Sequence, residues 1–149
     1  MKDAGTTILM VEDEVSDIEL LTMAFARTGL NNPVQTAGNG EEAVDYLTGK
    51  GPFSDRAAYP VPKAIITDLK MPQMGGIELL RWIKANPRYR VIPTIVLTSS
   101  TAREDVNEAY DCGASAYFVK PVPFSELMRL AKIMAEYWQI ALTPDAPRM

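Results

Sequence analysis

The stretch KAIITDLKMPQMGG, Lys63 to Gly76, places an apolar run, Ala64-Ile65-Ile66-Thr67, directly ahead of a lone aspartate and a turn of Met, Pro and Gly. A run this short is too brief for a buried helix and reads as a strand. Asp68 then stands at the strand's carboxyl end. An aspartate there starts a loop, caps the next helix, or is the group on which chemistry happens. Runs of the same kind recur at Thr7–Val11, Val34–Ala37, Thr94–Leu97 and Ala116–Val119. Amphipathic segments separate them: Ser16–Thr28, Gly40–Thr48, Ile77–Ala85, Arg103–Cys112 and Phe124–Ala141. Gly29 is placed to end the first helix, and Asn86-Pro87 to stop the third. Five β/α alternations with continuously apolar strands predict an α/β domain, a doubly wound five-stranded parallel sheet with helices on both faces. In such a sheet crossovers are right-handed and ligands bind at the carboxyl ends of the strands. Before the third strand lies an irregular insert, Gly49–Lys63, whose three prolines and two glycines read as a surface loop or a partner contact.

The 149 residues are enough for one domain with a full core. A net charge of −4 argues against nucleic acid or an anionic membrane as a direct partner. The single cysteine, Cys112, permits no internal disulfide. The N-terminus lacks a signal-peptide pattern, and no stretch approaches the ~20 apolar residues of a membrane span. These features lead to an expected cytoplasmic location. The chain has no histidine, which excludes His-based acid–base catalysis and a phosphohistidine on this chain.

Polar residues converge on the strand ends. The first strand runs into Glu12-Asp13, the third into Asp68, the fourth into Thr98-Ser99 and the fifth into Lys120-Pro121. Crowded carboxylates are either partly protonated or held by a cation. Oxygen donors without His or Cys favour a hard ion, Mg²⁺ above others, with Mn²⁺ as a substitute. A carboxylate can act as a nucleophile toward a phosphoryl group, with the metal and Lys120 neutralising charge and Thr98 donating a hydrogen bond. Taken singly, Glu12-Asp13 is charge at a helix start, Asp68 a loop acid and Lys120 a solvated lysine. Together, at the ends of four strands of one sheet, they form a site.

The blocks ILMVEDE, IITDLKMPQMGGIELL, IPTIVLTSS and GASAYFVKP, in that order, resemble the receiver domain of two-component response regulators. The resemblance runs from about Thr7 to Tyr137. It implies a flavodoxin-like sheet of strand order 2-1-3-4-5 and a protein switch phosphorylated by a sensor histidine kinase. It implies that Asp68 is the phosphoacceptor and that Asp13 and Asp68 bind Mg²⁺ by their side chains. Glu12 would act through a water and Lys70 through its backbone carbonyl. Thr98, Ser99 and Lys120 would contact the phosphoryl group, Thr98 and Tyr117 would form the switch pair, and the Lys120–Pro121 bond would be cis. The Pro-rich insert, LTSS followed by an acid, and YWQIALTP resemble the small regulators paired with phytochrome-type kinases. That implies one receiver domain over 1–149, with a core of about 7–137, an extension and tail over 138–149, and no output domain. Two other classes compete. An aspartyl-nucleophile, Mg²⁺-dependent phosphatase or phosphotransferase would be expected to carry a second acid two residues after the nucleophile, where Lys70 stands. A flavodoxin-like electron carrier would need a Ser/Thr/Gly-rich loop where VEDEVSD is acidic.

The last helix carries more apolar surface than one sheet face requires, since a core stripe need be little more than 100° wide. Its polar residues form a narrow stripe, Ser125, Arg129, Lys132, Glu136 and Gln139. The remainder predicts a homodimer through Tyr137, Trp138, Ile140 and Leu142, with Trp138 as anchor.

Overall fold

The computed structural model describes residues 7–141. Strands β1 (Ile8–Val11), β2 (Val34–Ala37), β3 (Ala64–Thr67), β4 (Thr94–Thr98) and β5 (Ala116–Val119) form a parallel sheet in the order β2-β1-β3-β4-β5. Helices α1 (Val15–Arg27), α2 (Gly40–Thr48), α3 (Gly76–Ala85), α4 (Arg103–Asp111) and α5 (Phe124–Ile140) connect and follow the strands. The strand order is the one expected. Strand alternation divides the core between the two faces. Ile8, Met10 and Ile66 join Leu21, Phe25, Leu130 and Met134 under α1 and α5, while Leu9, Val11 and Ile65 join Tyr46, Leu47, Leu79 and Ile83 under α2 and α3. With both faces covered, β1 and β3 are apolar up to Thr67, whose buried hydroxyl donates to the Asp68 carbonyl, which is why they read as apolar runs.

Local signals set the element ends. The Asn39 side chain caps α2 by accepting the Glu42 N–H at 2.9 Å. Gly49 closes the same helix at φ +73, in the left-handed region. Gly76 is needed for a different reason: a Cβ there would lie 2.1 Å from the Asp68 carbonyl oxygen. The start of α3 is thus pressed against the backbone that carries Asp68.

The insert after α2 is more than a surface excursion. It forms a short 3₁₀ turn, Gly51–Phe53, and buries Phe53 and Val61 in the α2–α3 core. Phe53, Tyr59 and Tyr46 pack ring against ring, with centroids 5.1 to 6.0 Å apart. The Arg56 guanidinium donates to the carbonyls of Tyr46 and Leu47 in the last turn of α2 and of Phe53 in the 3₁₀ turn, tying the insert to the helix end.

The last helix requires a correction. Trp138 is only 3% exposed and packs against Phe25 of α1 at a centroid distance of 5.9 Å. It follows Leu127, Leu130, Ala131 and Met134 at three- and four-residue steps on the buried side, so it belongs to the monomer's core and cannot anchor a partner. Ile133, Tyr137 and Ile140 do face outward, Ile140 at 82% exposure. Leu142 lies outside the described residues. Among the described residues no helix is long and apolar enough to cross a membrane.

Candidate functional site

The carboxyl ends of β1, β3, β4 and β5 bring Glu12, Asp68, Thr98 and Lys120 to one rim. Register explains the convergence: Val11 pairs with Thr67 and Thr98 with Val119, so the residues just past these strands emerge at similar heights. They open into a cleft of about 370 Å³ lined by Asp13, Asp17, Asp68, Lys70, Thr98, Ser99 and Lys120, among others.

Lys120 is the hub. Its ammonium donates to Glu12 Oε1 at 2.6 Å, to Asp17 Oδ2 at 2.8 Å and to Asp68 Oδ2 at 2.9 Å. Burial alone would favour the neutral amine, but the hydrogen bonds it donates to Asp17, Glu12 and Asp68 outweigh it and push the pKa of Lys120 above its usual value. For Glu12 the balance runs the other way. Burial raises its carboxyl pKa despite the Lys120 contact and the Glu14 N–H, which it accepts at 3.1 Å. The remaining Asp68 oxygen, Oδ1, accepts the Leu69 N–H at 2.7 Å. The Asp68 carboxylate is therefore held at both oxygens, by backbone and by lysine.

The donor set fits a hard divalent cation. One carboxylate oxygen each from Glu12, Asp13 and Asp68 falls within 4.8 Å of the others. Three acids against one ammonium leave uncompensated negative charge, and the donors are oxygens only. Lys70 lies on the same cleft wall.

Thr98 is buried at the end of β4, and Ser99 beyond it is exposed. The Tyr117 hydroxyl donates to the Ser100 carbonyl at 2.9 Å, and the Ser100 hydroxyl donates to Asp105 of α4 at 2.5 Å. The structure does not bear out the expected cis bond between Lys120 and Pro121. No peptide bond among the described residues is cis. The X-Pro preference between isomers is small, and here the trans form already allows Lys120 all three carboxylates and its N–H bond to Thr98 O.

Two residues of this network were not singled out from the sequence. Asp17 stands in the first turn of α1, where an acid is accounted for by the helix dipole. Its position one turn beyond Asp13 is the signal that could have found it. Ser100 contributes a main-chain carbonyl to Tyr117, which no residue type announces.

Comparison with known proteins places this rim in context. The profile described as "Response regulator receiver domain" matches residues 8–132. The chain is 34% identical over 131 residues to the probable methanogenesis regulatory protein FilR2 of Methanothrix harundinacea, covering 88% of this chain and 82% of that protein. A crystal structure of the phosphorylated cyanobacterial phytochrome response regulator RcpA superposes with a TM-score of 0.85 at 33% identity, covering 95% of this chain and 100% of that one. The Mn²⁺-bound form of response regulator Rcp1 superposes with a TM-score of 0.83 at 27% identity, over 93% of this chain and 98% of that one. Rcp1 of Synechocystis is 28% identical over 139 residues, 93% of this chain and 92% of that protein.

Proposed function

This chain belongs to the response regulator receiver family, and from that membership we propose that it accepts a phosphoryl group on Asp68 from a histidine kinase. The observation that carries the proposal is the hold on Asp68, whose two oxygens are fixed by Leu69 N–H and Lys120 at the floor of an open, acid-lined cleft. In the transfer an Asp68 oxygen attacks phosphorus, the phosphorus–nitrogen bond of the donor breaks, and the imidazole leaves with the electron pair. Lys120 neutralises charge on the phosphoryl oxygens, while Thr98 and Ser99 donate hydrogen bonds from the end of β4. When bound, Mg²⁺ (or Mn²⁺) held by Asp13, Asp68, the Lys70 carbonyl and Glu12 through a water would supply further positive charge. The phosphatase reading is disfavoured because Lys70 occupies the position of the second acid.

Phosphorylation acts as a switch. The Thr98 hydroxyl is drawn toward the phosphoryl group, and the loop it pulls is the one whose Ser100 carbonyl holds Tyr117. Charge at the rim thereby becomes a change of surface near α4. Exposed Val15 and Val122 follow Glu14, which lines the cleft, and Pro121, next to the cleft residue Lys120, and suit a docking kinase. The likeness to RcpA favours a bacterial phytochrome as that kinase. A second copy of the chain is the proposed partner of the opposite end of α5. There Ile133, Tyr137 and Ile140 are exposed beside an apolar groove of about 260 Å³ that reaches Phe118 of the edge strand β5.

The deciding experiment is labelling with a small-molecule phosphodonor and Mg²⁺. One alkali-labile phosphoryl group should appear and should be lost in Asp68→Asn. Substantial labelling of that variant, or full labelling in excess chelator, would defeat the reading.

A further inference from the structure

Lys120 has more acids than its next task leaves room for. An ammonium has three N–H donors, and here each carries a carboxylate at hydrogen-bond distance. To take a phosphoryl oxygen the ammonium must give one of them up. The three are unequal. Glu12 is 5% exposed, and without Lys120 it would be a buried carboxylate with no cation near it. Asp68 is the phosphoryl carrier and stays within reach by construction. The Asp17 side chain is 36% exposed, so water can replace the ammonium around it at little cost. It is also mounted on α1 rather than on a strand end, and Lys120 borders a small cavity of about 50 Å³ walled by Leu20, Leu21, Leu97 and Leu127 that gives its stem room to move.

We infer that Asp17 is a positioning residue for phosphoryl binding, the releasable partner of Lys120 whose carboxylate yields its place to a phosphoryl oxygen on Asp68. The inference rests on the reading of Asp68 as acceptor. In the resting protein Asp17 holds the ammonium over the cleft with Glu12 and Asp68. On phosphorylation Lys120 trades one oxygen for another and the Asp17 carboxylate turns to solvent. Asp17 therefore opposes phosphoryl binding by the strength of its own partly exposed ion pair.

The test is equilibrium binding of beryllofluoride, a stand-in for the phosphoryl group, to the full chain with Mg²⁺, followed by ¹⁹F NMR. Asp17→Asn should bind about two- to fivefold more tightly than the wild type, the range of an ion pair that water still reaches. Asp17→Glu, which keeps a carboxylate, should return toward the wild-type value. The gain should vanish in the Lys120→Met background, as a double-mutant cycle requires of a residue that acts through Lys120. Simple charge repulsion predicts instead that the gain persists without Lys120, and that Glu14→Gln on the same rim matches Asp17→Asn. Either result, or unchanged or weaker binding by Asp17→Asn, overturns the inference. A second readout does not depend on affinity: the Asp17 carboxylate and Lys120 Cε signals of the wild type should shift together when beryllofluoride is added, and an unmoved Asp17 signal would also overturn it. A wild type that binds no beryllofluoride would overturn the acceptor reading itself, and Asp17's role with it.

Discussion

The Tyr117 hydroxyl reaches across from β5 to the Ser100 carbonyl, 2.9 Å away and two residues beyond Thr98. The aromatic ring and the β4 loop therefore share a hydrogen bond before any phosphoryl group arrives. Thr98→Ala should leave phosphorylation of Asp68 largely intact while cutting its effect on this loop. NMR shifts of Tyr117 and the α4 residues on beryllofluoride addition should be large in the wild type and much reduced in the variant.

The metal ligands should differ in rank. Under the proposed ligand assignment, Asp13→Ala would remove a direct side-chain ligand and should weaken Mg²⁺ binding by about tenfold or more, whereas Glu12→Gln, assigned a role through water, should weaken it less. Mg²⁺ titrations of the two variants by NMR or calorimetry provide the comparison, and equal losses would revise the ligand assignment.

Trp138 and Ile140, two residues apart on α5, should behave as opposites. Trp138→Ala opens a cavity against Phe25 and should cost about 3–5 kcal/mol of stability, seen by urea denaturation. Ile140→Glu lies in solvent in the monomer and should leave stability nearly unchanged. If the outward face of α5 pairs two copies, sedimentation should show a dimer for the wild type and a shift toward monomer for Ile140→Glu. A full-length protein that stays monomeric at high concentration would remove the dimer.

Tyr46 links the insert to the core and supplies a pH dependence. Its ring is fully buried, its hydroxyl donates to the Pro60 carbonyl, and burial pushes its pKa up from 10.0 to about 12. A raised pKa means that the folded state keeps a proton the unfolded state releases. The associated stability is complete below pH 10 and is lost as pH rises through 12, up to about 3 kcal/mol in total. Tyr46→Phe should be less stable at neutral pH through the lost hydrogen bond, and its stability should fall less steeply in that alkaline window, as denaturation at stepped pH would reveal.

What was legible in the sequence follows from chemistry that is local to the chain. β3 and β5 have the predicted ends because short apolar runs flanked by turn residues have few other solutions, and β2, half of it polar, also ends where predicted, between Pro33 and Gly38. The rim residues were legible because a parallel sheet sends every strand's carboxyl end to one side. Trp138 was misplaced because an apolar excess on α5 does not reveal how deeply α1 covers it. Asp17 was missed because its meaning depends on Lys120, more than a hundred positions away and brought near only by the fold. Phe53 and Val61 were hidden by the prolines around them, which signal a loop whether or not its apolar side chains turn inward.

Gly76 bears on the direction in which a signal can travel. With the Asp68 carbonyl oxygen filling the space where a side chain would begin, the carboxyl end of β3 and the start of α3 form one close-packed block, further tied by the Gly76 N–H to the Leu69 carbonyl at 2.8 Å. A block of that kind transmits displacement poorly because it has only one packing. Toward β4 and β5, by contrast, the neighbours are the Thr98 side chain and the Tyr117 hydroxyl on the Ser100 carbonyl, joined by a single hydrogen bond rather than by pressed backbone. If Asp68 takes the phosphoryl group, it is backed on the α3 side by close-packed backbone and faces side chains of β4 and β5 on the other, so displacement is expected toward α4 and β5 rather than α3.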